Sequence, residues 1–480
     1  MLGLGLIMTA AWCATSLATA VEKKLDVGLT WSVHRTAEPQ LYTRGGYQYV
    51  AYYDDERQLR LAQRELGSDE WTERRFPVRT RWAHGGHARV TLAVDVNGHV
   101  HLAAYRRDLS EQPPSPPGSI YFRSKKPHDP QSMERMPMVD AQEPSPHYPR
   151  FIEDAEERLY IQYRVGMSGS GLWRWNAYDA ERQTWRTMPV LLDGEGERGA
   201  YGGPVLGPDG RWHCMWVWRE TADASTTHTV NYMVGDDLLN WETAGGEPVE
   251  LPATVSDTQA VVDPVGMRLG LVNSRTELGW DSQDRPIISY HKYDNEGDSE
   301  IYDTFSGQGM ISKTMHEARG MSQIYNARYE NGRWRIVQAT DWDFRWHFQG
   351  GGALVGSAVN LSAPEPAGEG VLHQRVWSAK HGWQRLTLDE KTLEPIEAHD
   401  IAELDDPADG LQTWQRRRSV PESDFDVRPM RVTWIADNGK GDRNGPEYWL
   451  RWEHGPGNND RPVDKPWPDA TMLRLYKVAP

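Results

Sequence analysis

Residues 94–105 read VDVNGHVHLAAY, and their pattern decides the fold class. A polar turn ending at Gly98 introduces a run that alternates and then turns apolar. That is a turn feeding a β-strand, because strand side chains alternate with a period of two. The same design returns in EDAEERLYIQYR (153–164), GPDGRWHCMWVW (207–218), DSQDRPIISYHKY (281–293) and YENGRWRIVQAT (329–340). Before it, GGYQYVAYYDDERQLRLAQREL (45–66) reads as a strand–turn–strand hairpin; after it, HGWQRLTLDEKTL (381–393) and EYWLRWE (447–453) supply further strands. No long segment keeps a 3.6-residue apolar period. The turns near residues 98, 156, 210, 284 and 332 set a loose repeat of roughly 50–70 residues, the length of propeller blades. At that spacing the chain holds about seven blades. The expectation is an all-β, seven-bladed β-propeller, with an irregular pair of β-sandwiches as the competing arrangement. Trp71, Trp185, Trp241, Trp334 and Trp383 follow turns and suit strand positions between packed blades. EQPPSPPGS (111–119) reads as an exposed loop within a blade, and no linker divides the chain.

The first residues, MLGLGLIMTAAWCATSLATAVEKK, join an apolar run to Ala18-Thr19-Ala20, a small-x-small cleavage pattern. Residues 1–20 are read as a secretory signal peptide and 21–480 as a single catalytic or binding domain. No other stretch approaches the roughly 20 apolar residues of a membrane span. Cys13 and Cys214 are the two cysteines of the sequence. Cleavage leaves Cys214 alone, so no intramolecular disulfide can form. Export without disulfides points to the bacterial periplasm or medium. The 53 Lys and Arg against 69 Asp and Glu give a net charge of −16. Nucleic acids and anionic membranes need a broad basic field and are not expected partners. A polyanionic ligand would need a local arginine cluster.

Propellers carry functional side chains on loops at one mouth of the central channel. WAHGGHARVTLAVDVNGHVH (82–101) sets His84 and His87 before a strand, with His99 and His101 in the following hairpin. HYPRF (147–151) places Tyr148 before Pro149, which biases it to an extended backbone, and Arg164 then ends a strand and enters the glycine- and serine-rich turn VGMSGSG. An arginine there is placed to meet a ligand that approaches the backbone, and pairing with a carboxylate is the alternative. Tyr201 is read as a loop residue between glycines, and Arg219 follows a strand. In DWDFRWHFQGGG (341–352), Trp342, Arg345 and Trp346 suit stacking on sugar rings and binding of carboxylate or sulfate, or else a packed cluster. There is no HExxH, CxxC or calcium loop, and no GxSxG. No catalytic metal or other cofactor is expected. A structural ion, with His213, Cys214, His228 and His291 as donors, stays open.

Taken in order, YPRF, YRVGMSGSG, NAYD, LLDGEGERGAYGGP, WVWRET, SYHKYD, YNARYENGRW and DWDFRWHFQGGG resemble the BNR-repeat propeller family that contains the ulvan lyases. The likeness runs from about residue 45 to about 400. It implies a seven-bladed β-propeller and β-elimination at the uronic acid of a rhamnose–uronate polysaccharide. It also implies that His87, Tyr148 and Arg164 are the catalytic trio and that Tyr201 binds substrate; Arg107, Arg219 and Arg345 are further substrate-binding candidates. The chain departs from the family pattern at three positions. Arg107 stands where a second active-site histidine is expected, Ala88 and Gly199 where asparagines are.

β-Elimination needs a cation to neutralise the carboxylate, a base for the C5 proton and an acid for the leaving oxygen. Arginine stays charged and can bind a carboxylate through two parallel hydrogen bonds. Histidine transfers protons near neutral pH, and an adjacent arginine favours the tyrosine phenolate. Which of His87 and Tyr148 is base and which acid is left open. A glycoside hydrolase of related fold, which usually wants two carboxylates about the bond, and a non-catalytic sugar-binding propeller are the alternatives. The expected partner is an anionic polysaccharide; the oligomeric state is not legible.

Overall fold

The computed structural model describes residues 21–33, 38–79, 90–106, 118–139, 147–294, 304–306, 320–350, 357–401, 417–419, 430–439, 446–455 and 467–478. The signal-peptide segment 1–20, His84, His87, Ala88 and Arg107 lie outside the described residues, as does most of the proline-rich loop.

Antiparallel sheets follow one another along the chain, and the larger ones among the described residues number seven. They occupy residues 40–79, 90–136, 147–187, 199–263, 276–338 and 359–400, and a last one pairs residues 417–478 with the N-terminal strand Val21–Thr30. Seven is the number expected from the sequence, and the all-β propeller is the architecture observed. Helical structure among the described residues is confined to the 3₁₀ turns Pro130–Ser132, Ala224–Thr226 and Thr258–Ala260. The ring closes where Val21–Thr30 pairs antiparallel with Thr471–Val478. Opposite ends of the chain thus share one sheet.

The sheets pack face to face, and the burial of each strand records its place. Leu159–Val165 is buried at every residue, while Val371–Ser378 alternates between buried and half-buried positions. A central strand covered on both faces tolerates the first pattern; a strand with one wetter face gives the second. One apolar cluster joins Tyr49 and Leu61 of the first sheet to Val90 and Leu102 of the second and Leu159 and Ile161 of the third. Another joins Tyr160 and Trp175 of the third to Trp212, Trp216 and Trp218 of the fourth.

Four of the five turns noted in the sequence share one device with the turn at 54–58. At 54–58, 95–99, 154–158, 207–211 and 281–285 the first residue's N–H donates to the carbonyl of the fifth. The fourth residue's N–H donates back to the first carbonyl. The fourth residue always has a positive φ: Arg57, Gly98, Glu157, Gly210 and Asp284. In four of the five the first residue is an aspartate, and its Oδ1 accepts backbone N–H groups of the third and fifth residues. The exception starts at Gly207, where Asp209 instead accepts from the Arg211 N–H. A carboxylate fits this place because it satisfies N–H donors that a tight turn would otherwise leave to water. The sequence showed the turns but not the shared carboxylate. The turn near 332 joins Ser322–Glu330 to Arg333–Gln338 without it.

Candidate active site

The stretches HYPRF and YIQYR are neighbours in one sheet. His147–Glu153 pairs antiparallel with Leu159–Val165, His147 lying opposite Arg164. The register slips between His147 and Arg150, a β-bulge at Tyr148 and Pro149. Proline has no N–H to give the ladder, so the bulge forms where the pairing bond is missing anyway. Tyr148 takes a φ of 54° there. This corrects the extended backbone expected before Pro149. A left-handed conformation costs a non-glycine residue about 1–2 kcal/mol and gathers at sites where a side chain must be aimed.

Arg164 is 4% exposed. Its Nη2 donates to the Met167 carbonyl and, over a long 3.4 Å, to the Tyr201 hydroxyl oxygen. The Gly169 N–H reaches the same oxygen at 3.3 Å. Tyr201 belongs to the strand Gly199–Leu206, opposite Val217, so the loop expected for it is a correction. Its ring is flanked by two cations. The Arg164 guanidinium carbon is 4.9 Å from the ring centroid and that of Arg219 5.5 Å. Arg219 is also 4% exposed. It ends Trp212–Arg219 and is held by the carbonyls of Thr221, 3.1 Å from Nε, and Ala222. Burial pulls its pKa below the usual arginine value; the nearby Arg164 charge acts in the same direction, and Tyr201, Asp223 and Tyr148 oppose both. Tyr148 is therefore within electrostatic reach of Arg219.

Among the described residues, no carboxylate lies within ion-pair distance of Arg164 or Arg219. Two acids that follow Arg219 in the chain are bonded elsewhere. Glu220 takes Arg198 Nε and His228 Nε2, each at 2.8 Å, and is held below the usual carboxylate range against the opposing effect of burial. Asp223 caps the 3₁₀ turn through the Ser225 N–H at 2.9 Å and accepts the Gly350 N–H at 2.7 Å. Glycines leave room for close packing at the site. A Cβ on Gly171 would lie 2.2 Å from Arg164 Nη2, and one on Gly169 2.2 Å from the Thr221 carbonyl carbon.

The other candidates have contacts of their own. Arg345 is 4% exposed and stacks 3.8 Å from the Tyr293 ring centroid. Trp342 and Trp346 are buried, so the sugar-stacking expected of them is corrected to core packing between sheets. Of the histidines, His101 is buried against Tyr121 Oη at 2.8 Å and Asp95 at 3.3 Å. His213 binds Tyr232 Oη at 2.6 Å and Asp209 at 2.9 Å, and His291 binds the Gly270 carbonyl at 2.6 Å. Cys214 is buried. Among the described residues, no three His, Cys, Asp or Glu side chains converge as a metal-binding group. The arrangement can bind an anion beside a tyrosine, in a protein otherwise rich in negative charge.

Residues 47–342 match the profile of a family described as BNR repeat-containing. No curated protein matches the chain. Among solved structures, a PL25 ulvan lyase is similar at 14% identity over 95% of this chain and 94% of that one, with a TM-score of 0.54. The same values hold for a structure of it bound to -[GlcA(1-4)Rha3S]-. The polysaccharide lyase Uly1 is similar at 12% identity over 96% and 99%, with a TM-score of 0.57. At such identities the likeness establishes the fold.

Proposed function

The chain belongs to the BNR repeat-containing family, and from that premise we propose that it is a secreted polysaccharide lyase cleaving a rhamnose–uronate polymer by β-elimination. One observation carries the reading. Arg164 and Arg219 are buried, flank one tyrosine and have no carboxylate partner among the described residues. Burying a cation is costly unless something compensates it, and the anion best suited to do so here comes from outside. Each guanidinium keeps its Nη1 out of the backbone bonds described above.

In this proposal the uronate carboxylate lies against Arg164, which neutralises it and makes the C5 proton acidic. A base removes that proton, and the electron pair forms the C4–C5 double bond. The C4–O bond breaks, and an acid protonates the departing oxygen. Tyr148 is one of the two proton-transfer groups. His87, outside the described residues, is assigned the other on the family resemblance. Tyr201, held by the Gly169 N–H and by the stacked arginines, supports the bound sugar. A hydrolase would need two free carboxylates about the bond, and Glu220 and Asp223 are both engaged.

The test is direct. The purified chain is mixed with rhamnose–glucuronate polysaccharides, and ultraviolet absorbance of the unsaturated uronate is followed beside reducing ends. A lyase produces both. New reducing ends without absorbance identify a hydrolase, and neither signal identifies a binding protein; either result sinks the proposal.

A further inference from the structure

The turn after Arg164, GMSGSG (166–171), is built from glycine and serine apart from Met167. Met167 is 73% exposed, more than any other large apolar side chain among the described residues. Single exposed apolar residues are common and by themselves mean nothing. This one is set apart by its attachment. The Met167 carbonyl is the acceptor that holds the Arg164 guanidinium, and it also takes the Ser170 N–H at 3.2 Å. Two residues on, Gly169 donates to Tyr201 and lies against Thr221, whose carbonyl holds Arg219. The turn is thus bonded to two side chains of the anion site and packs on the residue that holds the third, and it presents an apolar group to solvent. The segment that holds Arg219 is flanked in a similar way. Arg268 N–H donates to the Ser225 carbonyl at 2.7 Å, and its neighbours Met267 and Leu269 are exposed.

An anion site rimmed by apolar side chains fits a ligand whose charge and apolar carbon are close together. A uronate linked to a 6-deoxyhexose has that form: a carboxylate on one ring and a methyl group on the next. We propose that Met167 is a specificity-determining residue that packs on the C6 methyl of the deoxy sugar beside the uronate held by Arg164. The inference rests on the uronate reading of the site. A thioether suits the task because it is polarizable and adjusts to an irregular apolar surface. The turn beneath it is already clamped, so little backbone freedom is lost on binding.

The experiment measures equilibrium binding by calorimetry for two synthetic oligosaccharides. One repeats glucuronate and 6-deoxyhexose; the other differs only by a hydroxyl on each C6. The wild-type chain should favour the deoxy ligand by about 10-fold, the lower end of what one small apolar group supplies. Met167→Ala should lose most of that preference by weakening the deoxy ligand alone, and Met167→Leu should keep it. An unchanged ratio in Met167→Ala, or equal weakening of both ligands, overturns the proposal. Binding of neither ligand by the wild type overturns it together with the uronate reading. Ultraviolet product formation from the same ligands is scored separately: binding with the predicted ratio but without product would leave Met167 its role and refute only the lyase assignment.

Discussion

Gly171 and Arg164 pack closely at the site, and their contact gives a clean perturbation. Gly171→Ala places a methyl where the guanidinium now lies. We expect the fold to persist and the anion site to be displaced; misplacement by about 1 Å can cost about 10²-fold in turnover. Melting temperature and product formation measured on one preparation check this, and a variant with normal activity would remove Arg164 from the site. Tyr148→Phe deletes one hydroxyl and leaves the aimed backbone in place. Loss of proton transfer should then lower turnover by about 10²–10⁴-fold with an unchanged melting temperature. Arg164→Lys keeps a charge but loses the planar fork, so turnover should fall while the sheet survives. If these positions are structural only, both variants will show their damage in melting temperature and retain activity.

At the scale of the element, the recurring turn is where stability can be moved in either direction. Asp154 accepts the Glu156 and Arg158 N–H groups through Oδ1, and Arg158 Nε at 2.6 Å and Tyr160 Oη at 3.1 Å through Oδ2. Asp154→Ala strands several of these donors, and the buried ones cost about 1–3 kcal/mol each. Denaturant midpoints should fall accordingly, and a change within error would show that the carboxylate is dispensable. Asp284, at φ 59°, stands in the same fourth position that Gly98 and Gly210 fill. Asp284→Gly removes the left-handed penalty, and a rise of up to about 1 kcal/mol is expected after glycine's own entropy cost.

The whole molecule depends on closing the ring, and one carboxyl at the seam makes closure sensitive to pH. Asp437 in the last sheet accepts the Thr43 N–H of the first at 2.8 Å and the Gly439 N–H at 2.9 Å, and also bonds the Thr43 hydroxyl. Burial pushes its pKa up to about 6. The folded state therefore binds a proton that the unfolded chain, with a carboxyl near 3.9, has released. This contribution is full below about pH 4 and is lost as pH rises towards 6. Asp437→Asn keeps the acceptor at Oδ1 without the charge. Its melting temperature should match the wild type near pH 4 and exceed it at pH 7; a constant difference would refute the seam's role. The buried histidines act in the opposite sense. Burial holds His101, His213 and His291 below the usual imidazole value, His291 at about 3. Their stabilisation is present above about pH 6.5 and is lost on acidification.

Whatever depends on neighbours along the chain could be read from the residues in order. Alternation and turn residues gave strands, and their spacing gave the propeller. The ordered set of short stretches was enough to identify the family. Whatever depends on which strands meet became visible in the folded ring. Arg164, Tyr201 and Arg219 lie in two different sheets, and nothing in their separation shows that one ring would be shared by two cations. Trp342 and Trp346 looked like part of a binding loop because residue type does not reveal which face of a loop is covered; sheet packing buried them. The partnership of Thr43 with Asp437 spans 394 residues. No local pattern encodes it, because contacts so far apart in sequence exist only once the ring has closed.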